Sequence, residues 1–124
     1  MMNENKNNLI VEKSYHFSLM VIELYKFLTQ QKKEYILSKQ LLRCGTSIGA
    51  NINEAQAAVS KKDFIAKISI ASKEARESKY WLMLLKDSGY IDSNKEKVKD
   101  LLKEIDSIIN ITTKIVKSSQ TNAK

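Results

Sequence analysis

Apolar residues recur every three or four positions along almost the whole chain, the spacing of one face of an α-helix. A first helix is expected over about 9–30, with Tyr15, Phe17, Met20, Val21, Leu24, Phe27 and Leu28 on its stripe. The polar run TQQKKE, residues 29–34, reads as its connection. A second helix follows over about 35–59, its stripe being Leu37, Leu41, Cys44, Ile48, Ile52, Ala55 and Val59. Ser60 and Asp63 form a capping-box pattern that opens a third helix over about 61–88. Its stripe, Phe64, Ile68, Ala71, Ala75, Ser78, Leu82 and Leu85, alternates steps of four and three like a bundle seam. Gly89 then suits a left-handed helix end. Ser93 and Glu96 resemble a second capping box, opening a fourth helix over about 94–117. Val98, Leu101, Ile105, Ile108, Thr112 and Ile115 mark its stripe, and 118–124 reads as a frayed tail.

Helices of this length are roughly 33–42 Å long, and short connections place successive ones side by side in opposite directions. No stretch alternates as a strand would, and no internal repeat is visible. The expected fold is all-α: a single domain over 1–124, an up-down-up-down antiparallel four-helix bundle. The absence of proline agrees, because proline breaks helices and is common in loops.

The segment RCGTSIGANINEA, residues 43–55, looks like a loop until it is placed on the second helix. Gly45 and Gly49 then share one face. Each costs about 1 kcal/mol of helix propensity against alanine, a loss that close packing of a neighbouring helix would offset. A polar stripe, Gln40, Arg43, Ser47, Asn51 and Glu54, runs beside the apolar one. The third helix offers Ile70, Glu74, Glu77, Trp81 and Leu84 in matching positions. Antiparallel packing brings Arg43 toward Glu74 or Glu77, and a buried pair of that kind would cost several kcal/mol (about 3–5) to break on one side.

Charge changes the picture only in part. The chain carries a net +7, with a pI near 9.4, which admits a polyanionic partner. Its lysines are nevertheless spread along the chain and mixed with acids, as in KEKVKDLLKEID. A solvated lysine-rich surface gives the same total, whereas nucleic-acid binding requires clustering on one face. The single cysteine, Cys44, fits a reducing compartment. The polar start MMNENKNN lacks the apolar run of a signal peptide, and no stretch approaches the roughly 20 apolar residues of a membrane span. A cytoplasmic protein is expected.

Catalytic chemistry finds little support. Glu54, Glu74 and Glu77 are the carboxylates available to a bundle metal site, but di-iron bundles pair Glu-x-x-His, and the lone His16 stands in no such pattern. Cys44 lies on the apolar stripe with no histidine in its helix to activate it, and reads as a small core residue. There is no glycine-rich phosphate loop, CxxC or GxSxG. Trp81 beside Tyr80 reads as an anchor at a helix or subunit contact in preference to a base-stacking platform, which usually interleaves several aromatics with basic residues. No enzyme activity, cofactor or metal is expected.

The run Arg-x-x-x-Ser-Ile-x-x-Asn-Ile-x-Glu-Ala from Arg43 to Ala55, together with Ala71, Ala75 and the acids Glu74 and Glu77, resembles the four-helix-bundle family of 23S rRNA intervening-sequence proteins. The likeness is close over 40–91 and extends to the outer helices by pattern and length. Many members have glycine after the Glu-Ala pair, where this chain has Gln56. The resemblance implies a bacterial cytoplasmic protein without known enzymatic activity, some relatives being encoded inside sequences that interrupt large-subunit rRNA genes. It also implies a homo-oligomer, since characterised members look like closed pentamers; distant relatives serve as accessory proteins to reverse transcriptases. Two functions are thereby expected: an oligomer binding RNA or a nucleic-acid-handling partner through a basic surface, or a scaffold presenting a protein-interaction surface. On either, Arg43, Ser47, Asn51, Glu54, Glu74, Glu77 and Trp81 form a structural or interaction seam, with Gly45 and Gly49 allowing close helix packing.

Overall fold

The computed structural model describes residues 4–122, with side chains over 8–121. Four helices follow one another: α1 (Glu4–Gln30), α2 (Leu37–Ala55), α3 (Lys61–Asp87) and α4 (Glu96–Asn122). There is no strand among the described residues. Each helix packs on the next and α4 returns against α1, while the backbones of the diagonal pairs α1–α3 and α2–α4 stay more than 8 Å apart, Cα to Cα, and meet only through the core. Side-chain pairs fix the directions. Gly45 meets Val21 while the later Gly49 meets the earlier Ser14. Arg43 pairs with Glu77 while Glu54 pairs with Lys67. Lys79 pairs with Asp106 while Arg76 reaches Thr113. In each case the partner number falls as the first rises, so neighbours run antiparallel and the bundle is up-down-up-down.

The core is the set of stripes. Phe17, Val21 and Leu28 of α1 meet Leu41, Ile48 and Ile52 of α2, Ile68, Leu82 and Leu85 of α3, and Ile105 and Ile108 of α4, all fully buried. Burying a side chain of this size contributes about 1.5–3 kcal/mol, far more than any helix propensity in these segments. Ser78 and Thr112 lie in the same layers without penalty. Their hydroxyls donate back to the Glu74 and Ile108 carbonyl oxygens at 2.8 Å each.

The helix ends depart from expectation in four places. α1 begins at Glu4, ahead of its apolar stripe. α2 starts at Leu37 and stops at Ala55, where successive 3₁₀-type bonds (Gln56 N to Asn53 O, Ala57 N to Glu54 O) tighten the last turn, leaving Val59 93% exposed. Gln56 makes this turn in ordinary helical geometry, φ −65°, so no glycine is needed there. The Ser93–Glu96 box does not open α4; Asp92 turns the chain instead, accepting from the Asn94 N–H at 2.9 Å. The expected tail is helical through Asn122, with Ser119 buried, and its last two residues lie outside the described ones.

Two ends form as their residues dictate. Ser60 accepts from the Asp63 N–H at 3.0 Å, though the Asp63 carboxylate reaches the Val59 N–H in place of that of Ser60. Gly89, at φ +86°, closes α3 with Gly89 N to Lys86 O and Tyr90 N to Leu85 O, the paired bonds of a Schellman turn.

Candidate functional site

Two members of the α2 polar stripe, Arg43 and Glu54, pair with α3, while Gln40, Ser47 and Asn51 bond within α2. Arg43 donates through Nη1 to Glu74 Oε2 at 3.4 Å, through Nη2 to Glu77 Oε2, and through Nε to Gln40 Oε1 at 3.3 Å. Glu77 Oε2 also accepts from Trp81 Nε1 at 3.1 Å, which joins the arginine, the carboxylate and the indole in one chain. Lower on the seam, Asn51 donates to the Ser47 carbonyl and hydroxyl at 2.9 and 3.1 Å. Glu54 accepts from Lys67 Nζ at 3.1 Å.

Two details differ from the expectation of a buried arginine fork. The Arg43 side chain is 52% exposed, and its fork spans two carboxylates instead of gripping one. Water therefore screens the pair, and its worth falls to about 1 kcal/mol or less. Removing Arg43 leaves carboxylates that solvent reaches.

The glycines serve a different neighbour. A Cβ at Gly45 would sit 3.0 Å from a Val21 methyl, and one at Gly49 would sit 3.3 Å from the Ser14 carbonyl oxygen. Both look onto α1, so the middle of α2 carries two working faces. One admits the α1 backbone closely, and the other holds α3 by polar contacts.

The remaining chemistry is structural. Cys44 is fully buried, its thiol 3.7 Å from the Leu41 carbonyl oxygen and 3.3 Å from Ser78 Oγ. Burial pushes the thiol up from its ordinary value, so it stays protonated and unreactive. Glu54, held by Lys67, stands apart from Glu74 and Glu77, held by Arg43. Among the described residues no group of three His, Cys, Asp or Glu is arranged to hold a metal ion. His16 is exposed and lines a groove between α1 and α4 with Glu23 and Asp100. Trp81 is half-buried, its ring edge-on to exposed Tyr80 with centroids 5.2 Å apart.

Sequence patterning missed Glu34. It lies in the polar run before α2, yet only 8% of it is exposed. Its carboxylate accepts from the backbone N–H groups of Ile36 (3.1 Å), Leu37 (3.0 Å) and Ser38 (2.7 Å), so it holds the open end of the helix as an anion would. Burial alone would push its carboxyl up, but these N–H donors outweigh that and hold it below the ordinary carboxylate range. Lys33, at φ 55°, makes the reversal that brings the carboxylate round. An acid just ahead of the first apolar position was the available signal.

No helix of the described residues is long and apolar enough to cross a membrane. No curated protein matches the chain. A crystal structure from Bacteroides thetaiotaomicron VPI-5482, of a protein with unknown function from the S23 ribosomal protein family, superposes with a TM-score of 0.85 at 45% identity. The match covers 90% of this chain and 98% of that one. The family model described as 23S rRNA-intervening sequence protein matches residues 6–114, and with the seam and fold already described, the chain belongs to that family.

Proposed function

We propose that the protein is a non-enzymatic, self-associating helical bundle of the cytoplasm that binds RNA, or a protein that handles RNA, through a basic surface. The observation that supports this most is the state of the seam. Its carboxylates are already answered by Arg43 and Lys67, so they hold helices together and offer no free acid–base pair. The chain as a whole carries a net +7, and the seam accounts for none of that surplus. The family's association with 23S rRNA intervening sequences makes RNA the first polyanion to test. Affinity for a structured RNA, measured across a salt series, is expected to fall steeply as salt rises. No binding at low salt, or binding indifferent to salt, sinks the proposal.

One observation favours the scaffold reading as a second function. Tyr15 (67% exposed) and Leu19 (48%) lie over a groove between α1 and α2 that has Gly49 and Ala50 in its wall. Apolar side chains grouped there suit a subunit contact, and the family resemblance suggests a closed pentamer. A native mass equal to one chain at micromolar concentration removes self-association, and with it the ring.

A further inference from the structure

We propose that the outward face of the α3–α4 hairpin is the RNA-binding surface, and that it holds the phosphate backbone of an RNA duplex; this rests on the RNA reading above. The proposal comes from how the fold sorts charge. On α3, Glu74 and Glu77 turn toward α2 and its Arg43, and Asp63 turns back to the Val59 N–H. On α4, Glu104 turns toward α1, where Lys13 holds it at 2.7 Å, and Asp100 lines the α1–α4 groove. The acids are thus drawn into the seams on either side of the hairpin, or into its cap.

The bases are not. α3 exposes Lys62, Lys73, Arg76 and Lys79. α4 exposes Lys99, Lys103, Lys114 and Lys117. Helical spacing puts these on one side, and two contacts fix which side it is. Arg76 Nη2 donates to Thr113 Oγ1 at 3.0 Å, and Lys79 Nζ lies 2.7 Å from Asp106 Oδ1, both across the α3–α4 seam. Asn110 joins Arg76, Lys79 and Asp106 in lining a shallow groove of about 420 Å³ between the helices. Between residues 62–79 and 99–117, Asp106 is the one acid left to this face among the described residues; Asp87 and Glu96 stand at the hairpin's end. The α1 and α2 helices show no such imbalance, since exposed Lys26 and Lys39 are matched there by Glu12 and Glu23, Arg43 and Glu54 are tied into the α2–α3 seam, and Lys32 and Lys33 lie in the turn between the helices.

Like charges at helical spacing repel, so the arrangement lowers folding stability and a polyanion relieves it. The stripe extends roughly 25 Å along each helix, at about 1.5 Å per residue. Its composition selects the ligand. Lysines are point charges on flexible stems, suited to phosphates more than to base edges. Arg76, the stripe's single fork, is engaged with Thr113. Tyr80 is the only exposed aromatic on either helix, too few for the stacking that single-strand binders use. Contact with a duplex backbone, indifferent to sequence, is what remains.

The test compares two triple variants of the full chain by anisotropy with a blunt RNA duplex and its single strand, across a salt series. Lys73→Gln/Lys103→Gln/Lys114→Gln is expected to weaken duplex binding at least tenfold and to lower the salt slope by about three, one for each phosphate no longer neutralised. Lys26→Gln/Lys32→Gln/Lys39→Gln is expected to leave both within twofold, and the Lys→Arg version of the first triple to retain wild-type affinity. If wild type binds the duplex but the second triple weakens it as much as the first, the location is wrong while RNA binding stands. If wild type binds the single strand better, or binds only anionic vesicles, the duplex assignment is overturned. If wild type binds no RNA at low salt, the RNA reading itself fails. The substituted lysines are solvent-exposed, and circular dichroism of each variant, with the separately made Lys117→Gln, guards against a folding artefact.

Discussion

Replacing Glu34 isolates the anchor that starts α2. In Glu34→Ala, three backbone N–H groups lose their acceptor. Ile36 is 75% exposed, so water answers its N–H readily, but Ser38 is fully buried and water cannot reach it. Losing a cap costs about 1 kcal/mol, and stranding one buried donor costs about 1–3 kcal/mol more. The expected loss is therefore about 2–4 kcal/mol, a large fraction of a small domain's stability. Glu34→Gln keeps an oxygen acceptor and removes only the charge at the helix start, for about 1 kcal/mol. The pH dependence separates charge from shape. The folded Glu34 carboxyl lies below the ordinary range, so its contribution is complete above the unfolded value of about 4.3 and is lost as pH falls through the folded value. Urea unfolding, followed by helical circular dichroism at pH 7 and near pH 3, reads the stability gap between wild type and Glu34→Gln. That gap should narrow as pH falls below about 4.3, with the slope m unchanged. A gap that persists unchanged in acid, or a Glu34→Ala protein as stable as wild type at pH 7, refutes the reasoning.

Other outcomes follow from the same geometry. Gly45→Ala gains about 1 kcal/mol of helix propensity but drives a methyl into Val21, a stiff and fully buried side chain, and should be net destabilising by about 1 kcal/mol. Adding Val21→Ala should remove that clash, so a thermal-melt double-mutant cycle with no coupling would contradict the packing. Arg43→Glu should cost about 1–2 kcal/mol by gathering three carboxylates, and Glu77→Arg on top should restore about half of it, since Glu77 also serves Trp81. No recovery would mean the ion pair contributes nothing. The Cys44 thiol should react with a disulfide reagent only as fast as the protein opens, slowly in native buffer and faster as denaturant is added; fast reaction in the folded state would place the thiol at the surface.

Much of this architecture was legible in the order of residues, because most of the free energy lies in the apolar stripes that a 3.6-residue period exposes. The pairing of Arg43 with Glu74 and Glu77 was legible for the same reason, since fixing the core faces of α2 and α3 also fixes their flanks. Helix ends were less so. Val59 continues the α2 stripe by spacing, yet the turn after Ala55 carries it into solvent. Ser93 fits a cap pattern, but Asp92 reaches the turn first. Glu34 was hidden because its partners appear only once Lys33 reverses the chain. The exposure of Arg43 was hidden too: a stripe shows which neighbour a side chain faces, and not how much water accompanies it.

The seams are unequal. Those between successive helices are extensive, and α1 approaches α4 closely at far fewer positions, with Lys13–Glu104 among its contacts. Most of the molecule's contacts thus join stretches close in sequence, and only the last seam requires the two ends of the chain to meet. Such a chain should fold quickly, since little loop entropy is spent before contacts form. Its least costly excursion should be the parting of α1 from α4, detectable as faster amide exchange along that edge than at the α2–α3 centre. The bundle behaves less like a closed barrel than like a book of four leaves, bound along three edges and held shut on the fourth.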